Sequence, residues 1–194
     1  MTKTFKKDNN LVGIARLYVQ SRLHQLKKWM PMKTLKLVLA SLLMLTITGC
    51  ATTESQPEYH TYVKVGDNVP VTQFVDTQGN SIDLAESKNH KLLILFATWC
   101  PDSQRAMKYL VKSDLHLSPN VDIIGIGREE TNIELNKFGA EYELNFPLVA
   151  DTDRQIYSQF ANAGIPRLIL LDADNKVVKT IIGETENPII EVVW

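Results

Sequence analysis

Residues 60–194 predict an α/β sandwich on a central mixed sheet, with an N-terminal β-hairpin and flanking helices. Three observations carry this expectation. Lys91–Ala97 reads Lys-Leu-Leu-Ile-Leu-Phe-Ala, the apolar run of a strand buried on both faces. Val121–Gly127 (Val-Asp-Ile-Ile-Gly-Ile-Gly) is a second such run. Segments with helical apolar spacing follow each of them, and strands alternating with helices pack as parallel strands with helices on the sheet faces.

The elements follow in order. Val71–Asp76 and Ser81–Leu84 flank Thr77-Gln78-Gly79-Asn80, a Gly/Asn turn that joins two short strands into a hairpin. Asp102–Lys112 predicts a helix, with Met107, Leu110 and Val111 sharing a face. Asn132–Glu143 predicts another, with Ile133, Phe138 and Tyr142 among its apolar positions. Phe146-Pro147-Leu148-Val149 is short and extended. Arg154–Phe160 predicts a short helix with Asp153 as its N-cap. Arg167–Asp172 and Lys176–Ile182 are strands joined by the turn Asp172-Ala173-Asp174-Asn175, forming an antiparallel edge. Pro188–Val193 predicts a final helix, with Pro188 in its first turn.

The net charge of -1 conceals a split. Residues 1–50 hold 9 of the 21 Lys and Arg but a single acid, Asp8, which leaves residues 51–194 strongly acidic. Such a domain is poorly suited to nucleic acid or anionic surfaces, so no nucleic-acid partner is expected. The basic part belongs to targeting. Lys33 and Lys36 precede an apolar stretch, Leu37–Ile47, of about ten residues, too short to span a bilayer comfortably. It ends in Ile47-Thr48-Gly49-Cys50, which resembles a bacterial lipobox. That resemblance implies a lipoprotein signal peptide over 32–49 and a diacylglycerol-bearing Cys50 as the mature N-terminus. Ala51 after Cys50, in place of Asp, favours the outer membrane over the inner, facing the periplasm. Met32 is a natural start, and residues 1–31 read as a basic extension ahead of it. Residues 50–59 are polar and rich in Thr, Ser, Glu and Pro, the composition of a flexible tether.

Cys100 is the only cysteine within the folded part. It lies in Phe96-Ala97-Thr98-Trp99-Cys100-Pro101-Asp102-Ser103, where an apolar strand runs into a helix. A cysteine at a helix start faces unpaired backbone N–H groups and the positive end of the dipole, and both favour the thiolate. Pro101 suits the first turn because no N–H is needed there. A buried, inert cysteine is the structural alternative.

Further matches lie elsewhere in the chain. Val65-Gly66-Asp67, the Thr77–Asn80 turn, Trp99-Cys100-Pro101, Phe146-Pro147, Asp151-Thr152-Asp153 and Gly164-Ile165-Pro166 fall in one order along the chain. It is the order of membrane-tethered thioredoxin-like proteins of the TlpA/ResA type, and the resemblance spans nearly all of 60–185. It implies a thioredoxin-like fold and a cis Pro166 packed against the active-site sulfur. It also implies that Ile165 offers its backbone to an extended substrate. The expected site comprises Cys100 as nucleophile with Trp99, Pro101, Asp102, Ser103, Ile165, Pro166 and Arg167 around it. Protein or small-molecule thiols and disulfides are the implied partners, and no cofactor is called for.

The departures bear on mechanism. Ser103 stands where the family has its resolving cysteine, so a mixed disulfide at Cys100 has no intramolecular release. Ala106 and Ile94 stand where the family or thioredoxins carry proton-handling carboxylates. Arg167 replaces the usual Thr after the cis proline; pointed at the sulfur, it would favour the thiolate, and Asp102 would oppose it. Ala97 replaces the Thr of peroxiredoxins, and His116 is the last histidine, which counts against a peroxidase and a copper site. Glu129 and Glu130 read as solvated or helix-start residues. Monothiol exchange through Cys100 is the leading expectation. A redox-inactive module that binds a partner peptide is the alternative, and peroxide reduction ranks third.

Overall fold

The computed structural model describes residues 58–194. The basic extension, the signal peptide, Cys50 and nearly all of the tether lie outside the described residues.

The hairpin is β1 (Gln73–Val75) and β2 (Ser81–Asp83), paired antiparallel. The main sheet holds β3 (His90–Phe96), β4 (Val121–Arg128), β5 (Leu148–Asp151), β6 (Arg167–Leu171) and β7 (Val177–Ile182) in the order β5-β4-β3-β6-β7. β4 is parallel to both β3 and β5, whereas β6 runs antiparallel to β3 and β7. The helices are α1 (Pro101–Lys112) and α2 (Asn132–Glu141). The mixed sandwich with an N-terminal hairpin is thus the observed architecture.

The central strand explains the layering. Side chains alternate across a strand, so Leu93, Leu95 and Ala97 face one core and Leu92, Ile94 and Phe96 face the other. Helices α1 and α2 cover the second core with Met107, Leu110, Leu135 and Phe138. The first core is roofed by Phe74 of the hairpin, Leu84 just after it, and by Tyr157 and Phe160. Burying one such apolar side chain is worth roughly 1.5–3 kcal/mol, and β3 contributes five buried apolar residues to this. Lys91, the second residue of the strand, is also buried; its ammonium donates to the Ser87 carbonyl at 2.7 Å, and desolvation pushes its pKa down.

Helix α1 buries Ser103, Ala106, Met107 and Leu110, a stripe at helical spacing that includes the serine. Helix α2 opens on a capping box between Thr131 and Glu134. Its inner face is Leu135 and Phe138, while Ile133, read as one of its apolar positions, is 82% exposed. Gly127 in β4 permits the close approach of α2, because a Cβ there would sit 2.4 Å from Leu135 Cδ2.

Two expected helices are reduced to single 3-10 turns. Between 154 and 160 only Tyr157–Gln159 is helical. Arg154 takes a left-handed φ of 64°, which no helix continues through. The start of the turn is held by Asp151 from the end of β5, whose carboxylate accepts from the N–H groups of Ile156 (2.9 Å) and Tyr157 (2.7 Å); the Asp153 carboxylate accepts from Gln155. At the C-terminus Pro188–Glu191 forms one turn, started by Asn187 accepting from Ile189 N–H. Phe146–Val149 gives way to a true strand, β5, at the sheet edge.

The hairpin turn is organised by Asp76. Its carboxylate accepts from Asn80 Nδ2 (2.9 Å) and from the N–H groups of Asn80 (2.8 Å) and Gln78 (2.9 Å). These bonds, the Asn80 side chain first, hold the carboxyl below the usual aspartate range. A depressed folded pKa gives stability that is complete above the unfolded value of about 3.9 and is lost as pH falls through the folded value. Asp76→Asn is therefore expected to lower stability at pH 6 and to flatten its decline below pH 4, as measured by urea unfolding across that range.

Candidate active site

β3 ends at Phe96, and the chain turns through Ala97-Thr98-Trp99 into Cys100, the N-cap of α1. The Cys100 N–H donates to Ala97 O (3.2 Å), the Gln104 N–H to Cys100 O (3.0 Å), and Gln104 Nε2 to Thr98 O (2.7 Å). The elbow is thus tied on its own helix. Cys100 has an extended φ of -81° and makes no side-chain capping bond, so its sulfur is directed elsewhere. The thiol donates to the Ile165 carbonyl at 3.6 Å, and Cys100 is 7% exposed. The Ile165–Pro166 peptide bond is cis, as the resemblance implies. The structure therefore brings Cys100, Ile165 and Pro166 together from opposite ends of the domain sequence.

The remaining expected residues divide by position. Trp99 stands at the rim, 61% exposed, and Pro101 is exposed in the first turn of α1. Asp102 pairs with Arg105 at 2.6 Å, one turn along the helix, so its charge already has a partner. Arg105 also donates to the carbonyls of Thr185 (3.0 Å) and Glu186 (3.1 Å). Ser103 is fully buried, and its Oγ accepts from the Ala97 N–H at 3.3 Å. The serine at the resolving position thus satisfies the backbone of the elbow.

Arg167 is buried and does not engage the sulfur. Its guanidinium donates to Ala163 O, to Gly164 O (3.2 Å) and to Thr61 Oγ1 (2.6 Å). It braces the loop before the cis proline against the N-terminal segment. Tyr157 supports the same loop, its hydroxyl donating to Gly164 O at 2.7 Å.

One residue of the site departs from its sequence reading. Glu130 is not solvated but buried, at 2% exposure, and its Oε1 accepts from both the N–H (2.7 Å) and the hydroxyl (2.8 Å) of Thr98. Glu129 remains exposed and pairs with Arg128 at 2.9 Å. The difference arises from register. β3 and β4 are parallel, with Phe96 opposite Gly127, so the residues just beyond each strand lie side by side. The carboxyl ends of parallel strands are also where functional groups gather in α/β sheets, and this was the available signal for Glu130.

The redoxin family matches this chain over residues 64–192. The chain belongs to the redoxin family. It is similar to the thiol-disulfide oxidoreductase ResA of Bacillus subtilis, with 30% identity over 123 residues, 62% of this chain and 69% of that one. ResA of Bacillus thuringiensis subsp. konkukian is 27% identical over 79% of this chain and 91% of its own length. Among solved structures, a putative protein disulfide isomerase from Bacteroides thetaiotaomicron superposes with a TM-score of 0.59 at 25% identity, covering 65% of this chain and 84% of its own. A secreted Mycobacterium tuberculosis disulfide oxidoreductase homologous to E. coli DsbE shares the fold, with a TM-score of 0.52 at 21% identity over 59% of this chain and 85% of its own. This redoxin is a thioredoxin-like protein of the TlpA/ResA type.

Glu130 tests how firmly the elbow is held. Glu130→Ala leaves the half-buried Thr98 N–H and hydroxyl without their acceptor, which is expected to cost about 1–3 kcal/mol. Glu130→Gln keeps an acceptor and should cost about half as much. Thermal unfolding of both variants reads the difference.

Proposed function

We propose that this redoxin is a monothiol thiol-disulfide oxidoreductase, with Cys100 as the nucleophile and an external thiol as the resolver. The observation that carries this reading is the position of the Cys100 sulfur. It sits at the N-terminus of α1, against the carbonyl of the residue before the cis proline, while Ser103 Oγ is engaged by Ala97 N–H. The similarity to thiol-disulfide oxidoreductases supports the same chemistry.

The exchange runs in two balanced steps. The Cys100 thiolate attacks one sulfur of a partner disulfide; a new Cys100 S–S bond forms, and the other partner sulfur leaves as a thiolate with the bonding electron pair. A second thiolate from solution then attacks the mixed disulfide, and Cys100 departs as thiolate. With serine at position 103, the second step is bimolecular. Cys100→Ser should abolish exchange with a model disulfide in the presence of reduced glutathione. Ser103→Cys should form an internal disulfide and reduce the dependence of turnover on external thiol. Both are read from initial rates at several thiol concentrations, and full activity in Cys100→Ser would refute the proposal.

The burial of Cys100 favours a second reading, in which the groove around Trp99, Ile165 and Pro166 binds a partner peptide without turnover. Disulfide exchange by the wild-type protein separates the two.

The lipobox ending in Cys50 supports a lipid-anchored protein of the bacterial cell envelope, facing the periplasm, with the outer membrane favoured. Cys50→Ala should move the protein from the membrane to the soluble fraction, and unchanged membrane association would reject the lipid anchor.

A further inference from the structure

We infer that Arg128 forms a carboxylate-binding site beside Cys100, which makes the exchange selective for anionic disulfides and thiols. This deepens the proposed function and rests on that reading of Cys100.

Arg128 is the last residue of β4 and lies at the carboxyl end of the sheet with the elbow. Its guanidinium carbon is 6.0 Å from the Trp99 ring centroid and 5.1 Å from that of Tyr157. Trp99 immediately precedes the nucleophile. Tyr157 donates to Gly164 O, next to the residue whose carbonyl meets the sulfur. Arg128 therefore contacts both the Trp99 ring at the rim and the buried Tyr157 ring that supports the cis-proline loop.

Its fork already holds a carboxylate. Nε and one terminal nitrogen both lie 2.9 Å from the same Glu129 oxygen. Glu129 is half-exposed and sits at a left-handed φ of 60°. A planar fork on aromatic faces is the arrangement arginine uses to recognise carboxylates. Arg128 is largely enclosed and Glu129 is its half-exposed partner, so a carboxylate arriving from solution competes with Glu129 for the same fork.

A second cation, Arg154, lies 5.1 Å from the same Tyr157 ring; it donates to Asn162 O, and its buried Nε has no hydrogen-bond partner. Among the described residues no carboxylate lies within ion-pair distance of Arg154. The nearby acids are otherwise engaged, Glu130 by Thr98 and Asp151 by the Ile156 and Tyr157 amides. Glu129 is thus the exchangeable anion of the group. The ligand class that fits is a disulfide or thiol with a carboxylate a few bonds from its sulfur, as in small acidic peptide thiols.

The test uses three disulfide probes on the full chain at low salt: glutathione disulfide (anionic), hydroxyethyl disulfide (neutral) and cystamine (cationic). The second-order rate of adduct formation at Cys100 is measured for wild type, Arg128→Gln, Arg128→Lys and Glu129→Gln. The ratio of glutathione to hydroxyethyl rates is expected to fall roughly 5- to 10-fold in Arg128→Gln, the size of one partly buried charge contact. It should recover in part in Arg128→Lys, rise in Glu129→Gln, and shrink in wild type as salt is added. The neutral probe controls for any loss of folding. A ratio unchanged across the variants overturns the inference alone, and Arg128 then only packs against Trp99. No adduct with any probe in wild type overturns the exchange reading and this inference with it.

Discussion

The site depends on one backbone elbow, the passage from β3 into α1. It is pinned from two directions. Ser103 Oγ accepts the Ala97 N–H from within the helix, and Glu130 accepts the Thr98 N–H and hydroxyl from the neighbouring strand end. These bonds fix Trp99 and Cys100 at the helix start, where the thiol meets the Ile165 carbonyl. Removing either acceptor leaves a buried or half-buried N–H unpaired, and that cost falls on the segment that aims the sulfur.

The same interaction gives the substitution at position 103 a physical meaning. Position 103 belongs to the buried stripe of α1 with Ala106, Met107 and Leu110. A side chain there is enclosed, and the hydroxyl has a backbone donor to serve. With serine at position 103 the elbow has its backbone bond, and the Cys100 sulfur lies against the Ile165 carbonyl. Asp102 is neutralised locally by Arg105, and Arg167 is committed to the Ala163 and Gly164 carbonyls, so neither engages Cys100 in a hydrogen bond. Arg128, paired with Glu129, lies over the Trp99 ring at the rim.

The legible features were those governed by local pattern. The apolar runs of β3 and β4 announced a central sheet, and Trp99-Cys100-Pro101 together with Gly164-Ile165-Pro166 announced the two sides of the site. What stayed hidden depends on tertiary context. Glu130 looks like a surface acid until the parallel register of β3 and β4 sets it beside Thr98. The segment after Asp153 has helical composition, but Arg154 turns left-handed and the Asp151 carboxylate, reaching from the end of β5, caps the next turn in its place. Arg167 looks like an active-site charge, and only the folded loop reveals that its donors face carbonyls and Thr61.

The most direct test is the lifetime of the mixed disulfide at Cys100. The folded protein is mixed with glutathione disulfide, excess reagent is removed, and intact mass is followed with and without added thiol. The account predicts a single adduct on Cys100 that persists alone and is discharged at a rate proportional to the added thiol. A folded protein that stays unmodified while its unfolded form reacts readily would contradict it.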